Sequence, residues 1–157
     1  MEDVHIEKLE EAATHATDEA RMILPGVQAI MGFQLIAVFN QRFETLGARD
    51  QAIHLAAFFL ITFAMGLLMT PAAYHRLAER GSVTKRFVAL ASGLIAFALL
   101  PLLIGLALDS YILVRLIIRH ESVAMAAGSI VACVLAAMWF GLPLFLGRAA
   151  RSGRRAP

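Results

Sequence analysis

The chain alternates long apolar runs with short polar breaks. Four runs carry no Asp, Glu, Lys or Arg: Met22 to Phe39, Ala52 to Ala73, Phe87 to Leu108 and Val123 to Leu146. At about 1.5 Å of rise per residue, a helix needs roughly 20 residues to cross about 30 Å of hydrocarbon. All four runs meet that length, the first near its short limit. None alternates with the period of two that a barrel strand requires, and only helices or closed barrels satisfy their backbone in lipid. The pattern predicts an all-α fold, an integral membrane four-helix bundle.

Local signals agree with these boundaries. Asp18 and Glu19 precede the first run, where carboxylates favour a helix amino terminus. Arg76 and Arg80 follow the second, Gly81 suits a left-handed cap, and Ser82 can begin the next helix. Tyr74 and Trp139 lie near span ends, as amphipathic aromatics prefer. Ahead of the first run, Val4, Leu9, Ala12, Ala13 and Ala16 form an approximate helical stripe among acidic residues. Residues 1–21 therefore read as a short acidic cytoplasmic helix or arm, residues 22–147 as the four-span domain, and residues 148–157 as a basic tail. Pro101, Gly105, Gly141 and Pro143 read as kinks or helix ends.

Composition strengthens the membrane reading. Of 157 residues, 59% are hydrophobic and 17% charged, against about 45–50% and about 25% in a soluble domain. That surplus excludes a disordered chain, a disulfide-stapled module and a nucleic-acid binder. The single cysteine, Cys133, leaves no disulfide within one chain. The amino terminus lacks the basic region and short apolar core expected of a cleaved signal peptide. With four spans, both termini and the loop from Tyr74 to Arg86 share one side. Ten of the 14 Lys and Arg residues fall there, and Arg42, Arg49, Arg115 and Arg119 fall opposite. The positive-inside rule puts both termini in the cytoplasm. Arg148, Arg151, Arg154 and Arg155, directly after an apolar run, suit contact with anionic lipid headgroups.

Between Asp18 and Gly81 four strings carry a resemblance: LPGVQ (Leu24 to Gln28), GFQ (Gly32 to Gln34), FNQRF (Phe39 to Phe43) and PAAYHRLAERG (Pro71 to Gly81). They resemble an uncharacterised bacterial family of four-helix membrane proteins, a domain of unknown function. Some members are automatically labelled sodium:proton antiporters. The resemblance covers the first two spans and implies a bacterial inner membrane location. It implies no catalytic residue.

Polar groups at membrane depth are costly unless paired or hydrated, so they mark candidate function. Gln28 and Gln34 lie in the first span, with Asn40 and Gln41 at its outer end and Glu44 beyond. At about 100° per residue, Gln28 and Gln34 are about 120° apart and face different neighbours. Either can line a hydrated path or bond to an adjacent helix. Asp109 closes the third span if that span begins at Phe87; Tyr111 to His120 is then an amphipathic surface segment. In the alternative register, a helix from about Leu94 to Ile118 holds Asp109 inside the bilayer, with Arg115 as nearest partner. The interfacial register is the expectation. His54 and His120 both project to the outer side, yet no second pair or CxxCH supports haem ligation, and no cofactor is expected. In the fourth span Ala124, Gly128, Ala132 and Ala136 recur every four residues beside Ser129, Cys133 and Ala137, a spacing that lets helix backbones approach closely.

No Ser/His or Cys/His constellation, metal-ligand spacing or phosphate loop is present, so enzymatic chemistry is not expected. A homo-oligomeric ion channel or small ion transport protein is the leading expectation. Its first span would line a pore through Gln28, Gln34 and Asn40, with Glu44 and Asp109 biasing the outer mouth. A non-transporting scaffold or regulatory module that binds a partner protein is the alternative.

Overall fold

The computed structural model describes residues 2–78 and 84–146. Its helices are α1 (Glu2–Val38), the single turn α2 (Gln41–Glu44), α3 (Ala48–Ala78), α4 (Lys85–Ile118) and α5 (Glu121–Ala136). A π-helical turn, Ala137–Gly141, and a final helical stretch over 142–146 extend α5. Four helices are long and apolar enough to cross a membrane, over Glu11–Val38, Ala48–Ala78, Lys85–Ile118 and Glu121–Leu146. The expected Gly81 cap, the Ser82 start and the basic tail lie outside the described residues.

The helices outrun the predicted spans because helical order does not stop where hydrocarbon does. α1 continues without a break through Pro25 and joins the acidic residues to the first span. α4 runs on past Leu108 to Ile118, with Tyr111 and Ile112 buried. The expected surface segment from Tyr111 to His120 is therefore not separate: its apolar residues extend the helix and pack. Pro101 and Gly105 likewise lie inside the continuous α4, both buried. Thr84 starts that helix, its hydroxyl accepting from the Phe87 amide at 3.2 Å. Arg119 ends it in the left-handed region, at φ 60°, and turns the chain toward α5.

α3 and α4 pair most extensively; α1 lies against both, and α5 packs on α4. The buried residues of α3 are Asp50, His54, Ala57, Ile61, Ala64, Leu68 and Pro71, in alternating steps of four and three. In α4 the same steps run through Ala98, Leu102, Gly105 and Ile112, with part-buried Asp109 between the last two. Along α1 the buried positions Ala13, Ala20, Val27 and Gln34 are seven apart. A seven-residue repeat is the signature of helices wrapped left-handedly about a common seam. Lipid tails give no hydrophobic drive between helices, so close contact must supply the cohesion. Alanine and glycine allow it: a Cβ added to Gly105 would stand 2.6 Å from Ile61 Cγ1.

α5 is the least embedded helix. Ala124 and Gly128 are buried, whereas Met125, Ile130, Val134 and Met138 are exposed. At Gly128 an added Cβ would meet Ala107 O at 3.0 Å and Tyr111 Cβ at 3.2 Å, so this half of the small-residue stripe seats α5 on α4. Ala132 and Ala136 are only half-buried. Further on, Pro143 has no N–H and its ring would press on the carbonyl four residues back. The π turn absorbs this conflict by widening one turn, Leu142 N donating to Ala137 O.

Candidate functional site

Three seam positions that the repeat would fill with apolar residues are polar instead, and they meet. Gln34 on α1, His54 on α3 and Asp109 on α4 converge between the three helices. Gln34 Nε2 donates to Asp109 Oδ2 at 2.7 Å. His54 Nε2 lies 3.1 Å from the Gln34 backbone oxygen, and His54 Nδ1 lies 3.7 Å from Asp109 Oδ1. Gln34 is 4% exposed and His54 6%. Phe43 of α2 packs edge-on to the imidazole, with centroids 5.1 Å apart, and Asn40 holds α2 by accepting from the Arg42 amide at 2.9 Å.

The hydrogen-bond roles follow from the partners. A carbonyl oxygen only accepts, so His54 Nε2 must carry a hydrogen. In the neutral ring Nδ1 is then a lone pair, and it faces a carboxylate oxygen, another acceptor. Gln34 Oε1 is a third. Both His54 Nδ1 and Gln34 Oε1 are buried without a hydrogen-bond partner. Buried polar atoms of this kind cost roughly 1–3 kcal/mol each when unsatisfied. The cluster is thus short of donors.

A second cluster lies one turn nearer the amino-terminal end of α3. Asp50, four residues before His54 on α3, accepts from Tyr111 Oη at 3.0 Å and from Arg115 Nε at 3.0 Å. These bonds use both carboxylate oxygens, so Asp50, 5% exposed, is satisfied where the first cluster is not. Arg115 therefore pairs with Asp50 and not with Asp109, contrary to the alternative register; Asp109 and Arg115, six residues apart, leave α4 in different directions. Arg49 and Glu121 bridge α3 to α5 at 3.2 Å on the surface.

Asp109 sits in the body of its helix. It is about 35 Å along α4 from Arg86 and about 9 Å short of Arg115. Exposed apolar side chains continue beyond it at Leu113, Ile117 and Ile118, and at Ile36 and Phe39 on α1. Apolar surface thus flanks the carboxylate in both directions along α4, with Leu100 and Ile104 exposed before it. A cleft of about 260 Å³ between α1 and α4 leads to the cluster, walled mainly by apolar side chains including Ile30, Phe33, Leu106 and Leu113. A polar hollow of about 200 Å³, lined by Thr45, Asp50, Arg115 and Arg119, abuts it at Leu116.

Of the residues singled out from sequence, Gln34 and Asp109 come together. Gln28 is exposed, one position round the helix from buried Val27. Asn40 and Glu44 are exposed at α2, Asn40 as a cap. His120 is exposed before α5, its Nδ1 3.3 Å from Ser122 Oγ, while His54 is in the interior. Sequence reasoning missed Asp50, Tyr111 and His54 as partners. The signal was there: stepping back by three and four from Ala57 lands on His54 and Asp50. Among the described residues, no group of three or more His, Cys, Asp and Glu side chains is placed to hold a metal ion.

Neither a curated protein nor a solved structure matches the chain. A family model does, over residues 3–143, and that span takes in all four long helices and both polar clusters. The chain belongs to the Family of unknown function (DUF6328).

Proposed function

We propose that this protein is a small ion transport protein of the bacterial inner membrane, and that the Gln34–His54–Asp109 cluster is its proton-binding site. One observation carries the reading: two acceptors, His54 Nδ1 and Asp109 Oδ1, face each other at 3.7 Å with no donor on the buried His54 Nδ1, and Gln34 Oε1 of the same cluster is likewise buried without a partner. A proton on His54 Nδ1 or on Asp109 supplies the donor, and its loss restores the conflict. Ionisable groups at membrane depth, facing a bundle interior, are the usual elements of proton relays. The groups that face this site are Asp50 from α3, one turn outward, and Tyr111 and Arg115 from α4; α1 contributes only the Gln34 amide. Asp50 and Arg115 neutralise one another, so Asp109 is the acid left to exchange a proton. The outer hollow, separated from the cleft by Leu116, supplies the approach from that side.

The path so proposed runs inside one protomer, because the Gln34 amide points into its own bundle. Self-association would multiply such paths rather than create one. Both termini lie in the cytoplasm in this reading, from the ten-to-four asymmetry of basic residues. No catalytic turnover is assigned to the chain.

The test is proton flux into proteoliposomes loaded with a pH-sensitive dye, driven by a potassium diffusion potential or by a pH gradient. Wild type should pass protons above protein-free liposomes. Asp109→Asn should fall to the background, and Glu44→Gln, at an exposed position away from the site, should match wild type. Circular dichroism and gel filtration confirm that each variant is folded. Background flux in wild type under both driving forces, or full flux in folded Asp109→Asn, would overturn the assignment.

A further inference from the structure

We propose that the cleft between α1 and α4 binds a primary ammonium ion with a small apolar tail, in exchange for the proton at the Gln34–His54–Asp109 cluster. The inference rests on the proton-site reading and names the class of solute that shares the site.

The cleft has two chemistries. Its walls, with Phe33 and Leu113 largely exposed at the flanks, are apolar and face the lipid side of the bundle. Its floor is Asp109, whose side chain is 20% exposed, with Gln34 and His54, whose partnerless atoms Oε1 and Nδ1 are buried just behind that surface. An apolar enclosure closed by a few convergent polar groups is the usual form of a small-molecule site. Here the polar atoms left without a partner are all acceptors, and they sit beside an acid. The complementary ligand is a cation rich in N–H donors. A primary ammonium carries three such donors and no acceptor, enough for the exposed carboxylate and for the two partnerless atoms behind it once the side chains part to admit it.

Charge balance follows from the same count. With its proton in place the His54–Asp109 pair is satisfied and carries no net charge, and only Gln34 Oε1 lacks a donor, so nothing there attracts a cation. When that proton leaves, the carboxylate charge and two vacant lone pairs remain, and an ammonium can satisfy all three. One positive charge replaces another, so no uncompensated charge stays buried at this depth. A quaternary ammonium of the same size matches the charge and the walls but brings no N–H, and leaves Gln34 Oε1 and His54 Nδ1 unpaired. Selection should therefore run by donors and not by charge alone. A free metal cation would leave the apolar cleft unfilled.

The experiment is calorimetric titration of the full chain in nanodiscs with 2-phenylethylamine, and with its N,N,N-trimethyl analogue, whose tail and charge are the same. Empty nanodiscs correct for partition into lipid. The primary amine should bind about tenfold or more tightly than the trimethyl analogue, the factor that roughly one lost charge-assisted hydrogen bond gives. Titration in two buffers of different ionisation enthalpy should show protons released on binding. Asp109→Asn, if folded, should lose binding. Equal affinity for the two cations, or binding without proton release, would overturn the proposal using wild type alone. If neither amine binds while dye-measured proton flux persists, the ammonium site fails and the proton site stands. If flux is absent as well, both fail together.

Discussion

Gly105 offers a measure of how tightly the α3–α4 seam is closed. An alanine there would put its Cβ 2.6 Å from Ile61 Cγ1, 3.2 Å from Ile61 Cδ1 and 3.3 Å from the Ala57 carbonyl oxygen. Carbon atoms prefer about 3.5–4.0 Å, so the closest contact must open by about 1 Å. Ile61 is fully buried, and a β-branched side chain in a helix is held to essentially one χ1 rotamer, so rotation alone does not clear it. The backbone oxygen on the other side leaves only separation of the helices. Overpacking of this kind costs about 1–3 kcal/mol. Ile61→Ala removes the obstructing atoms and should cost about 2–5 kcal/mol alone, toward the lower end where lipid surrounds the helices. In the double variant the new methyl occupies the vacated space. The two losses should then be sub-additive by about 1–3 kcal/mol, a coupling well outside the roughly 0.5 kcal/mol expected of independent sites. Reversible unfolding in mixed micelles of rising dodecyl sulfate content, followed by Trp139 fluorescence, measures all four corners of this cycle. A Gly105→Ala protein as stable as wild type, or strictly additive losses, would refute close backbone approach at this point.

Three further outcomes are expected. Asp50→Asn should destabilise the protein more than Tyr111→Phe, because it removes the carboxylate charge that strengthens two bonds, to Arg115 and to Tyr111, each of about 1.5–3 kcal/mol, where Tyr111→Phe deletes one; Arg115 is one-quarter exposed, so the lower end applies to its bond, and equal losses in the same micelle assay would show a solvated guanidinium. Gly128→Leu should lift α5 from α4 and lower the melting temperature, while Ile130→Phe on the exposed face should not; identical melting would make the stripe incidental. In a Cys133→Ala background, Thr45→Cys should react with an impermeant thiol reagent applied to cells and Ser152→Cys should be protected, and the reverse labelling would invert the topology.

The four long helices were legible because charge-free runs of that length have little use outside a bilayer. Their ends were not, since the apolar residues from Tyr111 to Ile118 satisfy a helix packed against α3 and α5 as well as they would a surface segment. Gln34 and Asp109 stood out as polar groups among apolar neighbours, but their meeting depends on two helices 75 residues apart in sequence. Asp50 escaped notice because it precedes the apolar run and reads as a loop residue. Only the continuation of the steps of three and four past Ala57 shows that it belongs to the seam. The same spacing separates Gln34 from Gln28: the seven-residue series Ala13, Ala20, Val27 reaches the first and passes by the second.

The regular recurrence of alanine in the seam also has a consequence for how the helices find their alignment. Ala57 and Ala64 on one side, and Ala91 and Ala98 on the other, recur at seven residues, so a slip of α4 along α3 by about 10 Å would bring small residues against small residues again. Packing tells such alignments apart chiefly at Gly105, whose place against Ile61 would pass to Ala98 or Ile112. The polar pairs do so as well. After a slip Asp50 would face no guanidinium and Asp109 no amide, and buried groups would be left bare in lipid. A polar residue in a heptad seam is a known means of specifying register at a cost in stability. Asp50 with Tyr111 and Arg115, and Asp109 with Gln34, would thus act during assembly, together with the close approach at Gly105, as the vernier that selects one alignment.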